Sequence, residues 1–179
     1  MANRAENHPI LVSKIGILGA GVSGIAAAKQ LSHHNPIVFE ASDSIGGVWS
    51  HCSYNSTKLQ SHRRDYEFTD FPWPQRDNPD FPTHLEILNY LHSYAKHFDV
   101  LKNIRFNSKV VEIRYTGNRE VTCSGSLLPG LPVWEVAVQT NHSDTIQVFI
   151  TQLTTFKLFG AYIYIGFQKF LKTYSHKQF

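Results

Sequence analysis

An apolar run that ends in a glycine-rich turn constrains the fold of this chain more than any other feature. The run starts at Lys14, glycines follow at positions 19, 21 and 24, and an alanine-rich helical pattern comes next. Gly19 permits a tight turn, Gly21 lets the backbone approach a pyrophosphate, and Gly24 lets the helix pack closely on the strand. A strand, this turn and a helix predict the first unit of an α/β domain with a parallel sheet.

A second apolar run ends in an acidic residue. The pattern predicts a strand at Lys14–Leu18, a helix at Val22–His33 and a strand at Ile37–Glu40. A carboxylate at the tip of the second strand can accept hydrogen bonds from a ribose and repels a 2′-phosphate. The sequence therefore predicts an unphosphorylated adenine dinucleotide, with the contacts made by Gly19, Ala20, Gly21, Val22, Ser23, Gly24 and Glu40. A bare glycine triplet also occurs in plain strand-to-helix turns, but here the strand, the helix and the acid accompany it.

Length and composition exclude several classes of protein. A chain of 179 residues has room for one ordinary domain, but hardly for two nucleotide-binding domains. The formal charge of +3 comes from dispersed basic residues, so no nucleic-acid partner is expected. Two distant cysteines, and ten histidines without a helical pair backed by an acid, predict no metal site. The first 13 residues contain no apolar stretch of signal-peptide length, which predicts a cytoplasmic location.

The middle of the chain carries a Gly-Gly step and an aromatic loop. Gly46 and Gly47 let the backbone pass close to a neighbouring group, and Trp49, two residues later, can cover an apolar ring system. The alternative interpretation is a glycine turn beside a core tryptophan. Residues 54–82 are rich in proline and aromatic residues, which predicts an ordered loop wrapped on the domain. The pair Arg63 and Arg64 belongs either to a solvated turn or to a phosphate contact.

One helix and a small β ribbon are predicted in the second half. Thr83 and Glu86 form a capping box, and a helix with an apolar face is expected to end near Phe98. Lys109–Tyr115 and Trp134–Thr140 alternate apolar and polar residues, as half-exposed antiparallel strands do.

The C-terminal segment differs from the rest in composition. Residues 148–179 contain nine aromatic residues and four lysines but no Asp or Glu. A three-and-four spacing that begins at Phe156 is compatible with an amphipathic helix at a membrane surface, although no apolar run is long enough to span a bilayer. The preferred interpretation divides the chain into a domain at residues 12–147 and a divergent aromatic, basic tail at residues 148–179.

Taken together, these motifs resemble the flavin-containing monooxygenases, particularly the plant type. The resemblance covers residues 12–147 and rests on the fingerprint together with Glu40, Ile45–Trp49, Leu59–Ser61, Asp70–Pro74 and the helix Tyr90–Phe98. It implies a Rossmann-like FAD-binding domain with a parallel sheet and a small antiparallel β insertion, apparently truncated.

The resemblance also implies where the cofactor lies. The FAD diphosphate is expected at Gly19–Gly24, its ribose at Glu40, and its flavin end near Gly47, Val48 and Trp49. Gln60 and Ser61 occupy the stretch that holds an asparagine near the flavin in the animal enzymes, which makes the Gln60 amide the catalytic candidate. In that family NADPH reduces the flavin, and a C4a-hydroperoxyflavin transfers one oxygen atom to a sulfur or nitrogen nucleophile.

The chain departs from the family pattern at its second nucleotide site. The second Gly-x-Gly-x-x-Gly and the Phe-x-Gly-x-x-x-His motif are missing. The family's strand that returns to the FAD is expected to be replaced from Val148 onward, which would leave a sheet edge open. Two hypotheses therefore stand: the FAD half of a monooxygenase, or a truncated inactive fragment or regulatory partner without an NADPH site. A dehydrogenase is disfavoured because the step Gly46-Gly47-Val48-Trp49 suits a long flavin dinucleotide. The sequence does not define the oligomeric state.

Overall fold

The glycine-rich turn follows a central strand, and a mixed sheet is built around that strand. The computed structural model describes residues 10–75, 81–117, 133–140 and 146–153. In these ranges the strands are β1 (Ile10–Leu18), β2 (Ile37–Phe39), β3 (Ile104–Arg105), β4 (Ser108–Gly117), β5 (Val133–Thr140) and β6 (Ile146–Leu153). The helices are α1 (Val22–Gln30), α2 (Val48–His51) and α3 (His84–His97), with short 3-10 turns at Ser32–His34, Arg63–Tyr66 and Leu101–Asn103.

The sheet topology brings the ends of the first two strands together. The strand order is β3-β2-β1-β6-β5-β4. β1 is parallel to both β2 and β6, and β2 is parallel to β3, whereas β5 is antiparallel to β6 and to β4. Leu18 pairs with Phe39 at the carboxyl ends of β1 and β2. The glycine turn and Glu40 therefore leave the sheet side by side, where ligands of open α/β sheets bind.

Strand β6 overturns one expectation from the sequence. It lies between β1 and β5 and pairs with both, so the prediction that the strand is replaced from Val148 onward and leaves a sheet edge open is wrong. The predicted junction between residues 147 and 148 falls inside β6. The segment Ile146–Leu153 contains no charged residue and no proline, which permits a buried strand, and pairing with β1 and β5 on its two sides stabilises the strand there. The three-and-four spacing typical of an amphipathic helix starts only at Phe156, after the end of β6.

The predicted amphipathic helix lies outside the described residues, since the description ends at Leu153. In the part of the chain that is described, no helix combines the length and the apolar character needed to cross a bilayer. The tail predicted at residues 148–179 therefore stays a prediction for the residues after Leu153.

Helices α1 and α3 supply most of the main core. The alanines at positions 26, 27 and 28 of α1 are fully buried, as close packing on the sheet requires. The capping box of α3 is confirmed: the backbone N–H of Thr83 donates to the Glu86 carboxylate over 2.9 Å, and the Thr83 hydroxyl accepts from the Glu86 N–H over 3.3 Å. The predicted apolar face is confirmed as well, with Ile87, Leu91, Tyr94 and Ala95 buried. Helix α3 is thus anchored at its start and along its inner face.

The aromatic loop lies on the domain, as predicted, in its described residues up to 75, and the structure shows that it packs on α3. The ring of Phe68 stacks on Tyr94 with centroids 3.8 Å apart, and Trp73 stacks on Tyr90 at 4.0 Å. The Tyr90 hydroxyl donates to the carbonyl of Phe71 over 2.6 Å and accepts from the N–H of Phe68 over 2.7 Å. Burial raises the pKa of Tyr90 and of Tyr94 above the usual range of tyrosine, so both phenols stay neutral. Stacked aromatic rings and hydrogen bonds between the Tyr90 hydroxyl and the loop backbone therefore fix the loop on α3.

We expect Phe149→Ala in β6 to destabilise the chain. Phe149 is fully buried and its ring contacts that of Phe39 at 5.1 Å. Truncation of a buried phenylalanine costs about 3–5 kcal/mol of unfolding free energy. The matched control is Val111→Ala in β4, because Val111 is exposed. Urea unfolding gives the unfolding free energy of both variants. Equal stabilities of Phe149→Ala and Val111→Ala would show that β6 is not an integral strand.

Candidate functional site

Three glycines shape the loop between β1 and α1, each for a different reason. Gly19 has a φ of +86°, which a residue with a side chain rarely adopts. A Cβ on Gly24 would lie 1.8 Å from the carbonyl oxygen of Gly19, so α1 could not pack as it does. A Cβ on Gly21 would meet only the Cα of Gly47, at an ordinary 3.9 Å. The fold thus requires glycine at positions 19 and 24, whereas it would tolerate a Cβ at position 21, so packing alone does not explain the glycine there.

The N-terminus of α1 is open to an anion. Gly21 is its N-cap residue with φ −74° and ψ −175°, no side chain caps the helix, and no acid stands in the first turn. Helix α3 differs, because Thr83 and Glu86 cap its first turn. The leading amides of α1, including those of Val22 and Ser23, therefore have no acceptor within the helix and carry the positive end of its dipole. Such an end binds phosphate without a basic side chain.

Glu40 stands beside this helix end as a buried carboxylate. Its exposed fraction is 8%. Its Oε2 accepts the Ala20 N–H over 2.6 Å, and its Oε1 accepts the N–H and the hydroxyl of Ser42 over 2.9 and 2.7 Å. Its backbone N–H donates to Arg105, and its carbonyl accepts from Ser108. Glu40 is thereby fixed against the glycine loop, and Ser42, which the sequence analysis did not identify, takes part in holding it.

The Gly-Gly step lies directly against the glycine loop. The Gly46 N–H donates to the carbonyl of Ala20 over 3.0 Å. A Cβ on Gly47, whose φ is +58°, would lie 3.2 Å from the Cα of Gly21. A Cβ on Gly46 would lie 2.4 Å from the Leu88 side chain of α3. The structure therefore brings Gly47 to the fingerprint and gives both glycines a packing role.

Val48 and Trp49 start α2 and face different surroundings. Val48 is 65% exposed, whereas Trp49 is half-buried and packs against the main core. The indole N–H of Trp49 donates to the Tyr66 hydroxyl over 2.7 Å, and the two rings meet edge to face at 5.9 Å. Burial raises the pKa of Tyr66 to about 12, against a smaller opposite effect of the Trp49 hydrogen bond. The phenol is thus a neutral acceptor that fixes the indole, and nothing in the sequence pattern pointed to Tyr66.

Gln60 and Ser61 lie on a segment attached to the start of α3. The Leu59 N–H donates to the carbonyl of Pro82 over 2.8 Å, and the backbones of Lys58 and Thr83 form an isolated antiparallel β-bridge. Gln60 is exposed and Ser61 is half-buried. Between the described residues, the structure shows no hydrogen bond from either side chain to the glycine loop. The catalytic role of Gln60 and the cofactor contact of Ser61 stay predictions.

The two neighbouring arginines are not equivalent. Arg63 donates to the carbonyl of Pro74 over 3.0 Å, and its guanidinium lies over the Trp73 ring at 4.8 Å. Arg64 is exposed. Arg63 thus has a structural task in the aromatic loop.

Substitution at two of the glycines separates ligand binding from folding. We expect Gly21→Ala to fold normally, because its φ is ordinary and its Cβ makes only an ordinary contact, yet to lose nucleotide binding. Gly24→Ala should destabilise the chain instead, because its Cβ collides with the Gly19 carbonyl. Thermal unfolding and equilibrium binding of FAD are measured for both. Undiminished FAD affinity in folded Gly21→Ala would contradict the assignment of the phosphate position.

Comparison with known proteins identifies the family. The model of the family described as flavin-binding monooxygenase-like matches residues 12–172. Probable flavin-containing monooxygenase 1 of Arabidopsis thaliana is 60% identical in an alignment 151 residues long, which covers 80% of this chain and 28% of that protein. Human flavin-containing monooxygenase 1 is 32% identical in an alignment 150 residues long, which covers 78% of this chain and 26% of that protein. The chain thus spans less than a third of the length of these relatives.

Solved structures agree on the fold. S-allyl-L-cysteine S-oxygenase of Allium sativum matches with a TM-score of 0.64 at 21% identity, covering 79% of this chain and 35% of that one. A complex of OTEMO with FAD and NADP matches with a TM-score of 0.64 at 24% identity, covering 81% of this chain and 25% of that one. FAD and NADPH are the cofactors of this group of monooxygenases. With a mixed α/β sheet whose first strands are parallel, a glycine fingerprint and a family match over most of its length, the chain belongs to the flavin-containing monooxygenase family.

Proposed function

We propose that this chain is the FAD-binding part of a monooxygenase that uses NADPH to oxygenate sulfur or nitrogen nucleophiles of small molecules. The observation that carries the proposal is a glycine that the fold itself does not require, at an uncapped helix start. A Cβ at Gly21 would make only an ordinary contact, and Gly21 is the N-cap residue of α1, which no side chain caps. A dinucleotide diphosphate supplies the two negative charges that such a helix end favours.

The described residues fit FAD in both shape and charge. Gly19 to Gly24 would hold the diphosphate through backbone amides, and Glu40 would accept hydrogen bonds from the ribose of the adenosine half. Gly47 would pass close to the diphosphate, because it already lies against Gly21. Val48 and Trp49 would border the flavin end, with Tyr66 fixing the indole. The bound flavin supplies the oxygen-activating chemistry, while these residues orient it and keep water away.

The negative charge of Glu40 favours binding of an unphosphorylated ribose over the 2′-phosphorylated ribose of NADP. A 2′-phosphate would place negative charge beside a buried carboxylate, which is costly because burial weakens solvent screening. The fingerprint in this chain therefore suits FAD, and NADPH needs a second site. The sequence contains one fingerprint, so that site would come from residues outside the present 179.

The presence of one fingerprint in the sequence also favours a second candidate function. A chain with one dinucleotide site cannot hold the flavin and its reductant together. As an isolated unit it would be an inactive FAD-binding fragment, or a regulatory partner that pairs with a complete relative. The two candidates share FAD binding and differ in turnover with NADPH.

FAD binding is tested by titration with FAD and with NADP, followed by flavin fluorescence and thermal shift. We expect FAD to bind more tightly, and Glu40→Gln to weaken FAD binding about tenfold through loss of a charge-assisted hydrogen bond. Glu112→Gln is the matched control, because Glu112 is an exposed carboxylate on β4. Tighter binding of NADP than of FAD by the unaltered chain would refute the assignment.

Turnover separates the two candidates. We expect the isolated chain with FAD to show no sustained NADPH consumption coupled to oxygenation of a thioether or tertiary amine, because it carries one fingerprint. Oxygen uptake and product are measured together, with a complete plant relative as the positive control. Coupled product formation by the isolated chain would show that it contains or recruits a second nucleotide site.

A further inference from the structure

The carboxylate of Glu40 has almost no acceptor capacity left. A carboxylate offers about four lone-pair positions. The Ala20 N–H takes one on Oε2, while the N–H and the hydroxyl of Ser42 take both on Oε1. One position on Oε2 remains, yet a ribose presents two neighbouring hydroxyl groups. The carboxylate can receive both only if one of its present donors withdraws.

The hydroxyl of Ser42 is the donor that can withdraw. It lies 2.7 Å from Oε1 of Glu40 and 2.9 Å from the carbonyl oxygen of Ser44. A hydroxyl has one hydrogen, so it donates to one of these acceptors at a time. The two backbone N–H donors are fixed by the loop, whereas this hydrogen changes partner by a rotation about one bond. Its second acceptor is already in place.

We propose that Ser42 is a positioning residue that substitutes for a ribose hydroxyl while no nucleotide is bound. In the free chain its hydroxyl donates to Oε1 and stabilises the buried carboxylate. When the ribose arrives, one of its hydroxyl groups takes that place and the Ser42 hydrogen turns to the Ser44 carbonyl. Glu40 then accepts one ribose hydroxyl on each oxygen. The inference rests on the proposed FAD site and assigns a role to a residue outside the glycine fingerprint.

The hydrogen bond of the Ser42 hydroxyl is stronger in the free chain than in the complex with the nucleotide. In the free chain Ser42 donates to a charged oxygen, and in the complex it donates to a neutral carbonyl. Hydrogen bonds to charged groups are the stronger kind. Ser42 therefore stabilises the free chain more than the complex, and it lowers the affinity for the nucleotide. A residue that merely braced the loop would instead increase the affinity.

The chain contains a matched control beside Ser42. The Ser44 hydroxyl lies 3.1 Å from the Ser50 hydroxyl and 3.5 Å from Nε2 of His51. Ser44→Ala removes these contacts but leaves the Ser44 carbonyl and the bonds to Glu40 intact. It changes a half-buried serine of the same loop without touching the proposed exchange.

The experiment measures thermal unfolding without nucleotide and the dissociation constant of FAD for the complete chain and three variants. For Ser42→Ala we expect the midpoint of unfolding to fall by about 3 °C, and FAD to bind about fivefold more tightly because a charge-assisted bond no longer has to be given up. Ser42→Thr, which keeps the hydroxyl, and Ser44→Ala should both retain the affinity of the unaltered chain.

The outcomes separate this inference from the proposed function. Weaker or unchanged FAD binding by Ser42→Ala, with normal binding by the unaltered chain, would overturn the inference alone. An unchanged midpoint of unfolding would overturn it as well. Failure of the unaltered chain to bind FAD would overturn the proposed function, and the role of Ser42 toward the ribose with it. If Ser42→Ala does not fold, then equal FAD affinity of Ser42→Thr and the unaltered chain supports the inference, and a loss of affinity refutes it.

Discussion

The close approach of α1 to the end of β1 is the constraint on which the rest of the site depends. No side chain fits at Gly24, because a Cβ would lie 1.8 Å from the carbonyl oxygen of Gly19. This contact sets the angle at which α1 leaves the sheet and hence where its free amides point. The hydrogen bond from the Gly19 N–H to the carbonyl of Phe39, 2.8 Å long, ties the same turn to the end of β2. The helix end and Glu40 are positioned together as a result.

Glu40 illustrates how a ligand-binding group also serves the fold. It joins the glycine loop to the segment after β2 by accepting hydrogen bonds from Ala20 and Ser42. An unpaired carboxylate would be costly at this degree of burial, so donors must be present even without a nucleotide. The site is therefore preorganised by hydrogen bonds that a ribose can extend or partly replace.

The sequence predicted the parts of this fold that depend on local pattern. The glycine turn, the capping box at Thr83 and the β4–β5 ribbon follow from short-range spacing and are confirmed. The role of Tyr66 was not predicted, because its contact with Trp49 joins residues 17 positions apart through a loop without periodic structure. Strand β6 was missed because its fit depends on two neighbouring strands rather than on its own eight residues.

The central claim is that a dinucleotide lies across the start of α1 with its ribose at Glu40. Hydrogen exchange of backbone amides, followed by mass spectrometry with and without FAD, tests it most directly, because the amides themselves are the proposed ligands. The account predicts slowed exchange in peptides that cover residues 19–25 and 40–47, with peptides of β4 unchanged. Unchanged exchange at residues 19–25 under saturating FAD, or protection confined to other segments, would contradict it.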